Sequence, residues 1–117
     1  MEITDVSKGR LTAELKITKD CCNILDMLHG GMSATLIDHL STLALKSYYL
    51  ADGKQAPNSV SIELSLSYLS GVKEGESIRV ETETVRVGRS VAFLIASIYN
   101  VQTNKLAVTG KHTKFLM

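Results

Sequence analysis

A single stretch of this sequence, from Gly30 to about Leu50, spaces its apolar residues at helical intervals, while almost everything around it alternates with a period of two. Within that stretch Met32, Ser33, Leu36, Ile37, Leu40, Leu43, Ala44 and Ser47 share one broad arc of a helix. Ahead of it, Leu11, Ala13, Leu15 and Ile17 alternate with Thr12, Glu14, Lys16 and Thr18, which predicts a first strand over 11–18 with one face buried. The helix should stop before Ala51-Asp52-Gly53, where glycine can take the left-handed conformation, and Pro57 marks a loop. Val60, Ile62, Leu64, Leu66 and Tyr68 then alternate with Ser59, Ser61, Glu63, Ser65 and Ser67, predicting a strand whose apolar face is buried and whose serine face is polar. Gly71 and Gly75 punctuate a turn before a strand begun by Ile78, Val80, Thr82 and Thr84. Val87-Gly88-Arg89-Ser90 reads as a hairpin, Val91 to Ile98 as a central strand covered on both faces, and Leu106 to Leu116 as the last strand.

The predicted class is therefore α+β: strand, helix, then strands joined by short turns, forming one mostly antiparallel sheet of five or six strands with one helix packed on it. A chain of 117 residues with 44% hydrophobic content can bury one core, and no repeat or linker divides it, so residues 1–117 are read as one domain. One helix covers only one face of such a sheet, and the run from Phe93 to Ile98 is too apolar to meet water. Self-association is the natural cover.

Thirteen basic residues against twelve acidic ones leave a formal charge of +1, which argues against a nucleic-acid or membrane partner held by bulk electrostatics. The apolar runs fall short of a membrane span, and residues 1–10 lack the order of a secretory signal, so a soluble, cytoplasmic protein is expected, with the mitochondrion as the alternative. Cys21 and Cys22 are adjacent, a spacing that suits neither an ordinary disulfide nor a zinc site, and no metal is expected.

One carboxylate, Asp38, interrupts the helix. Its wheel position lies opposite Leu36, Leu40 and Leu43, beside Ala34, Thr35, Ser41, Thr42 and Leu45, which are small or hydroxylated rather than charged. A ligand or a second subunit can approach such a face. At the helix start, His29-Gly30-Gly31 leaves two successive positions without Cβ, so a substrate oxygen can reach backbone N–H groups that lack partners and carry the positive end of the helix dipole. That is the chemistry of an oxyanion site.

The pattern of Asn23, five residues, His29-Gly30-Gly31, Ala34-Thr35-Leu36-Ile37-Asp38 and Ser41-Thr42 resembles the hotdog-fold acyl-coenzyme A thioesterases. Ala56-Pro57, Val60-Ser61, Ser67-Tyr68, Gly88, Ala92-Phe93 and Gly110-Lys111-His112-Thr113-Lys114 extend the likeness over nearly the whole chain. Two features depart from it: the chain begins almost at its first strand, and Cys21-Cys22 stands where a polar pair is expected. The resemblance implies a long central helix wrapped by a curved antiparallel sheet, and a homodimer, commonly paired again into a homotetramer, with active sites between subunits. It implies that Gly30 polarises the thioester carbonyl with Asn23 nearby, that Asp38 is general base or nucleophile, that Ser61 orients the water, and that His29 supports the loop or the sulfur.

It further implies that coenzyme A lies along Tyr68, Leu69, Ser70, Gly71, Val72 and Lys73, along Arg86, Val87, Gly88, Arg89, Ser90 and Val91, and along a tail over 111–115 that includes Lys114 and Phe115. Lys73, Arg86, Arg89, Lys111 and Lys114 are the cations available to its phosphates. The thioester is the substrate and no cofactor is expected. The implied reaction is hydrolysis of medium- to long-chain acyl-coenzyme A in fatty acid metabolism. An aryl- or hydroxyaryl-coenzyme A thioesterase and a non-catalytic acyl-coenzyme A-binding subunit are the alternatives.

Overall fold

The computed structural model describes all 117 residues. Six strands form one antiparallel sheet: β1 (Glu2–Ser7), β2 (Arg10–Lys16), β3 (Ser59–Tyr68), β4 (Ser77–Val87), β5 (Val91–Asn100) and β6 (Leu106–Leu116), in the order β1-β2-β4-β5-β6-β3. The one long helix, α1 (Gly30–Leu50), packs on the sheet, its closest neighbours being β4 and β2. This is the hotdog arrangement, a helix wrapped by a curved antiparallel sheet. The bounds of α1 and β6 are those the periodicity predicts, and Gly53, at φ +70°, closes the helix in the left-handed region.

Four readings change. β1 escapes the sequence because every one of its residues is exposed, so its pattern carries no burial signal; Gly9, at φ +74°, turns the chain between β1 and β2. Leu43 leaves the predicted arc and is exposed, whereas Ser41 and Leu45 are buried, so the helix is rolled toward its hydroxyl face. In β5 only one face is covered: Ala92, Leu94, Ala96 and Ile98 are buried, while Phe93 and Ile95 remain open on the outer face.

β3, an edge strand, differs most. A bulge between Ser61 and Glu63 breaks its pairing with β6, so that Ser61 lies opposite Lys114, Leu64 opposite His112 and Leu66 opposite Gly110. Directly opposed residues share a face, and these three partners are buried toward α1. The bulge thus brings Ser61 to the same inner face as Leu64 and Leu66, which unbroken alternation forbids. Val60 and Ile62 are left exposed.

The core lies between α1 and the sheet, with Ile37, Leu40 and Ala44 set against Ala13, Ile78, Val80, Ile98 and Ala107. At Gly110 a Cβ would meet Ile37 Cδ1 at 3.2 Å and Cγ2 at 3.3 Å, so the absent side chain lets the middle of the helix approach β6. That approach sets the distance between Asp38, one residue beyond Ile37, and the inward side chains of β6.

Candidate active site

At the N-terminal end of α1, His29 is the cap and its Nδ1 accepts from the Gly31 N–H at 2.8 Å. Met32 and Ser33 donate to the His29 carbonyl. The Gly30 N–H finds no acceptor within the chain, and no acid lies in the first helical turn to neutralise the dipole. Tyr68 braces this end by donating from its hydroxyl to the Gly30 carbonyl at 2.9 Å. Asn23 Oδ1 accepts from the N–H groups of Leu25 and Met27, closing its own loop, while the side-chain NH₂ makes no bond within the chain. Asn23 and His29 line one hollow together with Lys19, Cys22, Ile24 and Asp26.

The second cluster lies farther along the helix. His112, on β6, is buried, with Nδ1 2.8 Å from Ser41 Oγ and Nε2 2.6 Å from Ser61 Oγ. Ser41 directs its only proton to the backbone carbonyls of Ile37 and, at longer range, Asp38, so it accepts from an Nδ1–H; the lone pair on Nε2 then accepts from Ser61. Asp38 Oδ1 lies 3.7 Å from the same Nε2, with its side chain 46% exposed. Lys114 donates to Thr42 Oγ1 at 2.9 Å. A carboxylate and a serine hydroxyl therefore share one mouth, floored by a histidine of fixed tautomer.

Burial drives the His112 pKa below its ordinary value of 6.5, the Lys114 ammonium pushes the same way, and the Asp38 carboxylate opposes both. Because the unfolded chain takes up a proton near 6.5 that the folded imidazole resists, stability is full above that value and falls with acid. Between pH 6.5 and about 5, above the carboxylate range, the Tm should fall in wild type. Differential scanning calorimetry should find this dependence weaker in His112→Ala.

The residues expected to hold coenzyme A divide between the two ends. Tyr68 pairs with Val108 at one end of β6, whereas Val91 pairs with Phe115 at the other, about 23 Å away at the rise of a strand. Leu69 is exposed, Ser70 donates to the Leu106 carbonyl, Gly71 abuts the Met27 methyl and the Lys73 N–H donates to Glu76. Val72 is buried in the core, where its carbonyl accepts from Leu28. Arg86 to Val91 form the β4–β5 hairpin, with Gly88 donating to the Val91 carbonyl and the Ser90 carbonyl accepting from Leu116. Phe115 is exposed, Lys114 is buried, and Lys111 points outward.

Within one chain, then, Asn23, His29, Gly30 and the 68–73 segment gather at one end. Asp38, Ser61, Lys114 and the 86–91 hairpin gather toward the other. Gly30 and Asp38 are eight residues apart on one helix, about 12 Å along its axis, too far for both to touch one carbonyl carbon. Sequence reasoning gave His112 no role and did not join it to Ser41. The available signal was on β6, where Gly110, His112 and Lys114 occupy inward positions at a spacing of two.

The likeness extends to known proteins. A family model described as "Thioesterase superfamily" matches residues 25–107. The chain belongs to the thioesterase superfamily. Human acyl-coenzyme A thioesterase 13 is 34% identical over 97% of this chain and 78% of its own length, and the mouse protein 36% identical over the same shares. The crystal structure of zebrafish thioesterase superfamily member 2 superimposes with a TM-score of 0.91 at 31% identity, covering 99% of this chain and 80% of that one. As a member of this superfamily the chain is a thioester hydrolase.

Proposed function

We propose that this thioesterase hydrolyses acyl-coenzyme A to a free fatty acid and coenzyme A in a site shared by two protomers. The single observation behind the reading is the separation of the free Gly30 amide from the Asp38 carboxylate along one helix. A second copy brings the Gly30 end of one chain to the Asp38 end of the other, and the same pairing joins the 68–73 segment of one chain to the 86–91 hairpin of its partner.

In the proposed reaction the Gly30 N–H, at a helix end without neighbouring acid, holds the carbonyl oxygen and stabilises the charge that grows on it. The Asn23 NH₂ lies on the same side of the cleft. A water donates one hydrogen bond to Ser61 Oγ, whose own proton is directed to His112, and loses its other proton to Asp38 as its oxygen attacks the thioester carbon. Collapse of the tetrahedral intermediate breaks the carbon–sulfur bond and expels the thiolate, which takes up the proton. Capture of the carbonyl carbon by Asp38 itself, followed by hydrolysis of the anhydride, is the nucleophilic form of the same step. A cavity of about 610 Å³ beside the helix, with Leu50, Ala56, Pro57 and Met117 in its lining, gives an acyl group of medium length room beyond Asp38.

The exposed edge of β3, with Val60 and Ile62 uncovered, supports a homodimer by strand pairing, and the outward Phe93, Ile95 and Phe115 support association of dimers into a tetramer. Sharing of the site is tested by mixing two inactive proteins. Gly30→Pro removes the amide at a helix position that tolerates proline, after a residue already extended at φ −67° and ψ 134°. Asp38→Ala removes the carboxylate. Each homomer should be inactive, and the heterodimer should regain about half of wild-type turnover, because one of its two symmetric sites is whole. A mixture that stays inactive after subunit exchange would refute the shared site.

A further inference from the structure

The cavity beyond Asp38 is lined by Thr42, Lys46, Asn58, Ser59 and Lys114 as well as by the apolar groups named above. It continues the proposed reaction centre on three elements at once. Thr42 is one helical turn past Asp38, Ser59 is two residues before Ser61, and Lys114 is two residues after His112 on the same face of β6. Lys114 is only 5% exposed. Its ammonium donates to Thr42 Oγ1, yet no carboxylate lies within ion-pair distance of either Lys114 or Lys46.

A buried cation without a counter-ion costs stability. Burial lowers the Lys114 pKa and Lys46 adds to the effect, with Asp38 alone acting against it. A cavity built only for hydrocarbon gains nothing from a buried lysine in its wall and a second, exposed lysine beside it. An anionic group in it would gain charge-assisted hydrogen bonds at low local dielectric.

We infer that the cavity receives the far end of the acyl group and that Lys114, with Lys46, binds an anionic terminus there, so that the preferred thioesters are ω-carboxyacyl esters of coenzyme A. This rests on the acyl-coenzyme A reading above. Thr42 and Lys46 stand about 6 and 12 Å beyond Asp38 along the helix, which places the carboxylate at the end of a short- to medium-length chain. The diphosphate of coenzyme A offers the same oxygen chemistry. It lies at the far end of the pantetheine arm, whereas this cavity opens one turn from the carboxylate that acts on the thioester.

The test compares length-matched esters, succinyl with butyryl, adipyl with hexanoyl and suberyl with octanoyl, in wild type and in Lys114→Met, Lys46→Met and the surface control Lys105→Met. Wild type and Lys105→Met should favour the carboxylate-ended member by about tenfold or more in kcat/KM, the factor expected of one or two charge-assisted hydrogen bonds. Lys114→Met should bring the ratio close to one at an equal or higher Tm, and Lys46→Met should lower it most for the longer pair. A wild-type ratio at or below one, or a ratio unmoved by Lys114→Met, overturns the inference. So does an equal loss on both members of a pair, which assigns the lysine to the coenzyme phosphates.

Calorimetric binding of the same pairs to Asp38→Asn supplies a readout without turnover. Discrimination there with no hydrolysis by wild type sinks the reaction and retains the cavity. Hydrolysis by wild type with no discrimination does the reverse.

Discussion

Replacing Asp38 with Asn should lower kcat on an acyl-coenzyme A ester by about 10²–10⁴-fold, the range of a lost general base, with little change in KM. The amide keeps the shape and polarity of the side chain and removes only the capacity to accept a proton at neutral pH. Asp38 contributes little to the fold: its side chain is 46% exposed, and His112, 3.7 Å away, is held neutral and forms no ion pair with it. Its backbone carbonyl, which accepts from Ser41 and Thr42, is untouched by the substitution. Stopped-flow detection of the released thiol measures the loss, and an unchanged Tm and oligomer size show that it is chemical. Retention of most of the turnover would remove Asp38 from the mechanism.

His112→Ala should reduce kcat by about 10²-fold and lower stability by about 1–3 kcal/mol, the cost of leaving buried polar groups without partners. The imidazole is the one group that touches both Ser41, on the helix, and Ser61, on the bulged strand. Without it the Ser61 hydroxyl loses its acceptor and no longer presents a fixed lone pair to the attacking water. In the proposed mechanism His112 acts as a positioning residue, and two measurements separate that role from a merely structural one. His112→Gln carries both an acceptor and a donor and should recover part of kcat. The acid limb of the wild-type kcat profile should lie below the ordinary imidazole value of 6.5, because burial holds His112 neutral there. Protonation on that limb would turn Nε2 into a donor toward Asp38 and cancel the base. A kcat unaffected by His112→Ala would leave the histidine with packing alone.

Much of the fold was legible because burial imposes period on sequence. The helix from Gly30 to Leu50 and the strands around Ile78 and Leu106 show the spacing that their packing demands. β1 was not, since an edge strand exposed on both faces needs no apolar alternation. The outer face of β5 was misread for a related reason: Phe93 and Ile95 are apolar but uncovered within one chain, and sequence does not tell an apolar face awaiting a partner from one already covered.

The site divides along the same line. His29, Gly30 and Asp38 stood out in the sequence by residue type and near spacing, a helix start with an unpartnered amide and one acid among small residues, whereas Asn23 entered through the family resemblance alone. Ser61, His112 and Ser41 became one network only when a bulge in β3 turned Ser61 inward and the absence of a side chain at Gly110 let the helix settle near β6. Local pattern fixes which elements form and where an unsatisfied amide must occur, because those follow from neighbours a few residues apart. The distances among Asp38, Ser61, His112 and Lys114 depend on how strands remote in sequence are registered against the helix, and only the folded chain sets them.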